Sequence, residues 1–120
     1  MTASSEALDS LARAVRAADA KGGEDLVALD VSGPLPFADV FLLVTGNSER
    51  NVVAIADAIE EVLGRASRRE GHDAGRWVLL DFGDLVVHVF HREERMYYGL
   101  ERLWNDCPAL PVEPLLTAKS

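Results

Sequence analysis

The segment "ADVFLLVTG", residues 38–46, is apolar at nearly every position, and no other stretch constrains the fold as tightly. A strand with no polar face has to be covered on both sides. Directly after it comes "NSERNVVAIADAIEEVLGRAS", the clearest helix in the chain. Asn47 or Ser48 caps it, and Glu49 lies in the first turn. Val52, Ile55, Ala56, Ile59, Val62 and Leu63 form one apolar stripe. A doubly covered strand feeding an amphipathic helix calls for a sheet with helices packed on it.

The flanking segments extend this pattern. Between Glu6 and Ala20, Leu8, Leu11, Val15 and Ala18 recur at helical spacing, with Ser4 or Ser5 as N-cap. Gly22-Gly23 breaks that helix, and a short strand runs from Leu26 to Val31. "PLPF" is a connector, because its prolines cannot donate ladder hydrogen bonds. "REGHDAGR" reads as a loop. Strands follow at Trp77–Leu80 and Leu85–Phe90, joined by "DFGD". "HREERMYYGLERLWND" reads as a final helix. Met96, Tyr97, Leu100, Leu103 and Trp104 make its buried stripe, and Glu94, Arg95, Tyr98, Glu101 and Arg102 lie on or beside the other face. Gly99 costs that helix about 1 kcal/mol relative to Ala. The order α-β-β-α-β-β-α predicts an α/β fold with a mixed sheet flanked by helices. The expected domain is residues 1–106. The tail, 107–120, has three of the five prolines and is expected to be extended or disordered, outside the core.

A chain of 120 residues is one domain by default and buries roughly two-thirds of its unfolded surface. No apolar run approaches the ~20 residues of a membrane span. The start, "MTASSEALDSLARAVRAADAK", lacks a basic lead and an unbroken apolar core, so no signal peptide is expected. The lone cysteine, Cys107, cannot form an internal disulfide and has no partners for a zinc site, which fits a reducing, cytoplasmic setting. The formal net charge of −8 disfavours binding to phosphate backbones and suits a basic protein partner. The densest basic cluster is Arg65, Arg68 and Arg69. It falls where a helix should end, and there it complements the helix dipole.

Candidate chemistry is sparse. "TGNS", Thr45 to Ser48, sits between strand and helix, where a phosphate could be cradled. It lacks the Gly-Lys of a Walker loop and the Gly-x-Gly-x-x-Gly pattern. A nucleotidyltransferase would use such a turn with an Asp-x-Asp metal pair, and none occurs in the chain. Helix capping is the simpler reading of these residues. Asp81 and Asp84 flank a Phe-Gly turn, where Asp side chains bond nearby amides and Gly83 supplies positive φ. A two-residue loop would set Asp81 opposite Asp84 and Trp77 opposite His88; a three-residue loop with a bulge would shift that register. Carboxylates at a solvated hairpin tip lack the desolvation that makes a general acid. His72, His88 and His91 are not spaced as helix ligands, and Ser48 has no Gly-x-Ser-x-Gly context. Neither a catalytic residue, a metal nor a cofactor is expected. What remains is a hairpin and helix with two Trp, two Tyr and paired charges, the residue types that interface centres favour.

"ADVFLLVTGNSERNVVAIAD", "RWVLLDFGDLVVHVF" and "ERMYYGLERLW", preceded by "DLVALDVS", resemble the signature blocks of the ribosomal silencing factor, or Iojap-related, family. The resemblance runs in order from about Leu8 to Asp106. Asp-x-Gly-Asp, Val-His-Val-Phe and Arg-x-x-Tyr-x-Leu-Glu-x-Leu-Trp are specific to it rather than generic α/β patterns. It implies a nucleotidyltransferase-like topology without the catalytic residues. It further implies a factor that binds the large ribosomal subunit through ribosomal protein number fourteen, blocks joining with the small subunit, and lowers translation under nutrient limitation. It implies a homodimer when free. Neither a membrane nor a specific nucleic-acid sequence is an expected partner. Two alternatives differ in what they predict: a nucleotide-binding enzyme of the same fold would bind nucleotide with magnesium, and an adaptor for a non-ribosomal partner would ignore ribosomal subunits. The expected partner-binding residues are Trp77, His88, Glu94, Arg95, Tyr98 and Glu101. Trp77 is read as an apolar anchor at the rim of the sheet, with Tyr98 and Glu101 supplying hydrogen bonds and negative charge.

Overall fold

The computed structural model describes residues 4–33, 38–94 and 107–117. Helix α1, Ser5–Ala20, starts where the Ser4 hydroxyl accepts the Ala7 amide, as capping chemistry predicts. Its buried stripe is Ala7, Leu11, Ala14, Val15 and Ala18. Leu8, expected inside, is exposed; small alanines let α1 approach its neighbours along a line beside Leu8. Helix α2, Glu49–Leu63, is capped by the Ser48 hydroxyl, which accepts the Asn51 amide. Val52, Ile55, Ala56, Ala58 and Ile59 are buried, while Val62 at the last turn is exposed.

The helices lie on a sheet of six strands: β1 (Glu24–Asp30), β2 (Val40–Gly46), β3 (Arg68–Glu70), β4 (Trp77–Asp81), β5 (Leu85–His91) and β6 (Ala109–Leu110). Their spatial order is β3-β4-β5-β2-β1-β6. The central pair, β2 and β5, is parallel, and the other pairs are antiparallel, so the sheet is mixed as expected. β2 is buried along almost its whole length. One of its faces, Val40, Leu42 and Val44, packs with Val78, Leu80, Val87 and Val89 beneath Leu11, Val15, Ile55 and Ile59. Each such side chain contributes about 1.5–3 kcal/mol on burial, so this layer dominates stability.

Three expectations are corrected. The arginine cluster does not close α2: Gly64, at φ 92°, ends the helix, and the chain reverses into β3. Arg68 then pairs with Glu70 and Arg69 with Glu60, so the loop spans only residues 71–76. The β4–β5 hairpin does turn on two residues, but they are Gly83 and Asp84. Phe82 donates to Leu85, and Trp77 faces Phe90 while Leu79 faces His88. The Asp81 carboxylate accepts the Gly83 amide at 2.8 Å and so shapes the turn.

The tail is the third correction, since residues 107–117 belong to the folded core. Asp30 donates to the Pro108 carbonyl, and β6 adds to the edge of β1. A proline lacks a donor but keeps its acceptor, so prolines beside a two-residue edge strand do not forbid it. Helix α3, Glu113–Thr117, has Pro114 in its first turn, where no amide is needed. Leu110, Val112, Leu115 and Leu116 pack against the core, and Arg16 of α1 donates to the Leu115 carbonyl. The expected final helix lies outside the described residues from Arg95 to Asp106. The chain turns helically at residues 92–94 before it.

Candidate functional site

Strand alternation divides the side chains of β4 and β5 between two faces. Val78 and Leu80 point under the helices, whereas Trp77, Leu79 and Asp81 point the other way and are half-buried. Val86, His88 and Phe90 share that second face, and the parallel register adds Phe41 and Leu43 from β2. Leu29, Val31, Ala38, Leu43, Phe90 and Cys107 form its buried floor, with Val27, Phe41, Trp77 and Val86 packed around it.

Trp77 begins β4 but is not a side chain standing free at the rim. Its indole packs on Phe90, with ring centroids 4.8 Å apart, and donates Nε1–H to Nδ1 of His88 at 3.3 Å. Gly71, at φ 77°, lets the loop after β3 close over this point; a Cβ there would lie 2.0 Å from the Trp77 carbonyl oxygen. Beside the indole is an open cavity of about 310 Å³, lined by Glu70, Gly71, Trp77 and Leu79. The polar atom of the indole is satisfied within the chain, while its apolar body borders the cavity.

His88 occupies the middle of the same face, 5.0 Å from the Phe41 ring centroid and stacked on Phe90 at 5.9 Å. Burial pushes its pKa down to about 4, so it is neutral near pH 7. Its Nε2 is enclosed and, among the described residues, has no hydrogen-bond partner.

An acidic edge adjoins the aromatic face. Arg76, next to Trp77, binds Glu94 at 2.8 Å, Glu93 at 3.0 Å and Glu49 at 3.5 Å. Hydrogen bonds to Glu93 first and then Glu94 raise the Arg76 pKa above its ordinary value, and Arg76 holds Glu93 below the usual carboxylate range. His91 Nδ1 accepts the Glu93 amide at 3.1 Å and caps the turn. Glu94 is therefore engaged within the chain.

Of the expected partner-binding residues, Trp77 and His88 are in direct contact, and Glu94 stands beside them in the Arg76 cluster. Arg95, Tyr98 and Glu101 lie outside the described residues. Phe41, Leu79 and Arg76 complete the face over the buried Phe90, and none of these four was among the residues expected to contact a partner. Period-two alternation already placed Leu79 with Trp77 and Phe90 with His88; only the strand order could add Phe41.

The "TGNS" turn is consumed by capping. Ser48 accepts the Asn51 amide, the Asn51 side chain accepts the Asn47 amide, and its amide nitrogen donates to the Lys21 carbonyl at 2.9 Å. Among the described residues no helix is long and apolar enough to cross a membrane.

Among the described residues, a mixed sheet carries α1, α2 and the short α3 on one face and an aromatic layer, rimmed by carboxylates, on the other, and this defines an α/β domain. The family model "Ribosomal silencing factor during starvation" matches residues 4–120. The chain is 46% identical over 108 residues to "Ribosomal silencing factor RsfS" of Halalkalibacterium halodurans, covering 87% of this chain and 92% of that protein. It is 48% identical over 104 residues to the protein of the same name from Bacillus subtilis, covering 83% and 88%. A crystal structure of a protein from Bacillus halodurans superposes with a TM-score of 0.74 at 44% identity, covering 87% of this chain and 98% of that one. The chain belongs to the ribosomal silencing factor family.

Proposed function

We propose that the chain binds the large ribosomal subunit through ribosomal protein number fourteen and sterically blocks joining with the small subunit, lowering translation when nutrients are short. It acts by occupancy and catalyses no reaction. Its setting is the cytoplasm, and it is a homodimer when free. Family membership supports the ribosomal role. The single observation that carries the docking mode is the face built on Trp77, an aromatic anchor beside an open apolar cavity and a rim of carboxylates. A chain of formal net charge −8 complements a basic ribosomal protein.

The test is co-sedimentation of the full chain with purified large and small subunits, followed by subunit reassociation in its presence. The expected result is pelleting with large subunits only and fewer joined particles. Equal pelleting with both subunits, or with neither, would reject the reading. Light scattering at micromolar concentration checks the dimer, and a monomer mass would reject that part alone.

A further inference from the structure

His88 is the residue on the docking face that packing alone does not explain. It sits in mid-strand, opposite Leu79 on β4 and beside Leu43 on β2, with the Phe41 and Phe90 rings against it. A phenylalanine or leucine would fill that space without a polar atom. The imidazole instead leaves Nε2 enclosed and, among the described residues, unpartnered, which is unfavourable for a buried donor. What it supplies in return is an acceptor. Nδ1 receives the Trp77 Nε1–H at 3.3 Å, and a ring nitrogen can accept only when it carries no proton. The proton of the neutral ring must then lie on Nε2, the atom without a partner. The used acceptor and the orphaned donor are two sides of one arrangement.

We infer that His88 is the positioning residue of the docking face: its neutral, Nε2-protonated imidazole holds the Trp77 indole in one orientation before a protein partner arrives. This rests on the docking reading above. A half-buried indole with a free N–H would have other rotamers available, and fixing it on binding would weaken the complex. Here the fold fixes it beforehand, at the expense of an unsatisfied donor.

Long-range proton–nitrogen spectra of the full chain report the tautomer directly; a His88 ring protonated on Nδ1 at pH 7 overturns the inference without any variant. The indole N–H signals of Trp77 and Trp104 are separated by Trp77→Phe. His88→Phe keeps the ring and removes the acceptor, while His88→Asn puts an oxygen close to where Nδ1 lies. His88→Phe is expected to move the Trp77 indole signal and speed its exchange with water. It should leave the thermal midpoint unchanged or raise it, since the orphan donor is gone. It should weaken large-subunit binding between about two- and tenfold, the worth of one modest hydrogen bond. His88→Asn should restore the indole signal and the affinity, even with a lower midpoint. An unmoved indole signal, full-strength binding by His88→Phe where wild type binds, or affinity lost only in step with the midpoint would each overturn the inference. If wild type itself ignores large subunits while His88→Phe still moves the indole signal, the docking reading fails and the hydrogen bond stands.

Discussion

Arg76 grips Glu94 through one carboxylate oxygen, with Nε at 3.0 Å and Nη2 at 2.8 Å. The same guanidinium reaches Glu93 and Glu49, so it joins the loop before β4, the start of α2 and the turn after β5. Three carboxylates around one cation repel each other once it is removed. Arg76→Ala is therefore expected to lower the thermal midpoint slightly at low salt, and the deficit should shrink in 1 M salt, where the screening length falls to ~3 Å. Glu94→Gln should produce a similar small loss, and the double variant should lose less than the sum. A double-mutant cycle in thermal melts checks this, and strictly additive losses would show that the clamp carries no coupling.

Neutral His88 makes stability depend on pH. Its pKa is about 4 in the folded chain against an ordinary value of 6.5. The unfolded chain binds the proton more readily, so stability rises with pH across this window. The contribution is fully present above about 6.5 and is lost as pH falls towards 4. A difference of this size corresponds to roughly 3 kcal/mol over the whole window. Denaturant titrations at pH 7 and pH 4 should show the drop in wild type, and His88→Phe should lack that part of it. Equal drops in both proteins would assign the acid sensitivity elsewhere.

Residues 107–117 were misread from sequence for a definable reason. Proline content argued for an extended tail, but the tail needs few backbone donors. Pro108 contributes only its carbonyl, and Pro114 falls where a helix leaves amides unpaired. Deleting residues 107–120 should strip the edge of β1 and expose the core around Leu110, Leu115 and Leu116. The loss is on the order of 3 kcal/mol or more, given about 25 cal/mol per Å² of apolar area. A truncated chain that melts at the wild-type temperature would return these residues to the status of a tail.

Local patterns were legible where they depend on neighbours in sequence. Ser4 and Ser48 were readable as caps, β2 as a doubly covered strand, and Gly83 as a turn glycine, because capping, alternation and positive φ are short-range. The sequence could not decide between turns that set Trp77 opposite His88 or elsewhere. Two-residue turns at Phe82-Gly83 and at Gly83-Asp84 both keep Trp77 and His88 on one face, so alternation cannot separate those two registers. The pairing of Trp77 with Phe90 comes from a turn placed one residue later, at Gly83-Asp84. β3 was missed because Arg68, Arg69 and Glu70 are all exposed on a short edge strand and carry no hydrophobic signal. The contact of Phe41 with His88 depends on the parallel pairing of β2 with β5, which spans more than forty residues.

Trp77 should answer differently to two substitutions. Read from sequence as an anchor at the rim of the sheet, Trp77 instead packs its indole on Phe90 and bonds His88. Removing a fully buried Trp costs about 3–5 kcal/mol, so a half-buried one should cost about 2. Its loss from a docking face should weaken large-subunit binding by about 2 kcal/mol or more. Trp77→Phe keeps a ring against Phe90 and loses the N–H, so its stability deficit should be under about 1.5 kcal/mol. Its binding deficit should stay well above that of an exposed residue away from the face, such as Leu8→Ala. Thermal melts and sedimentation with large subunits, run on the same three variants, separate the two roles. If binding by Trp77→Ala is restored to wild-type strength merely by cooling to where the variant is fully folded, Trp77 is a core residue and the docking face must be sought elsewhere.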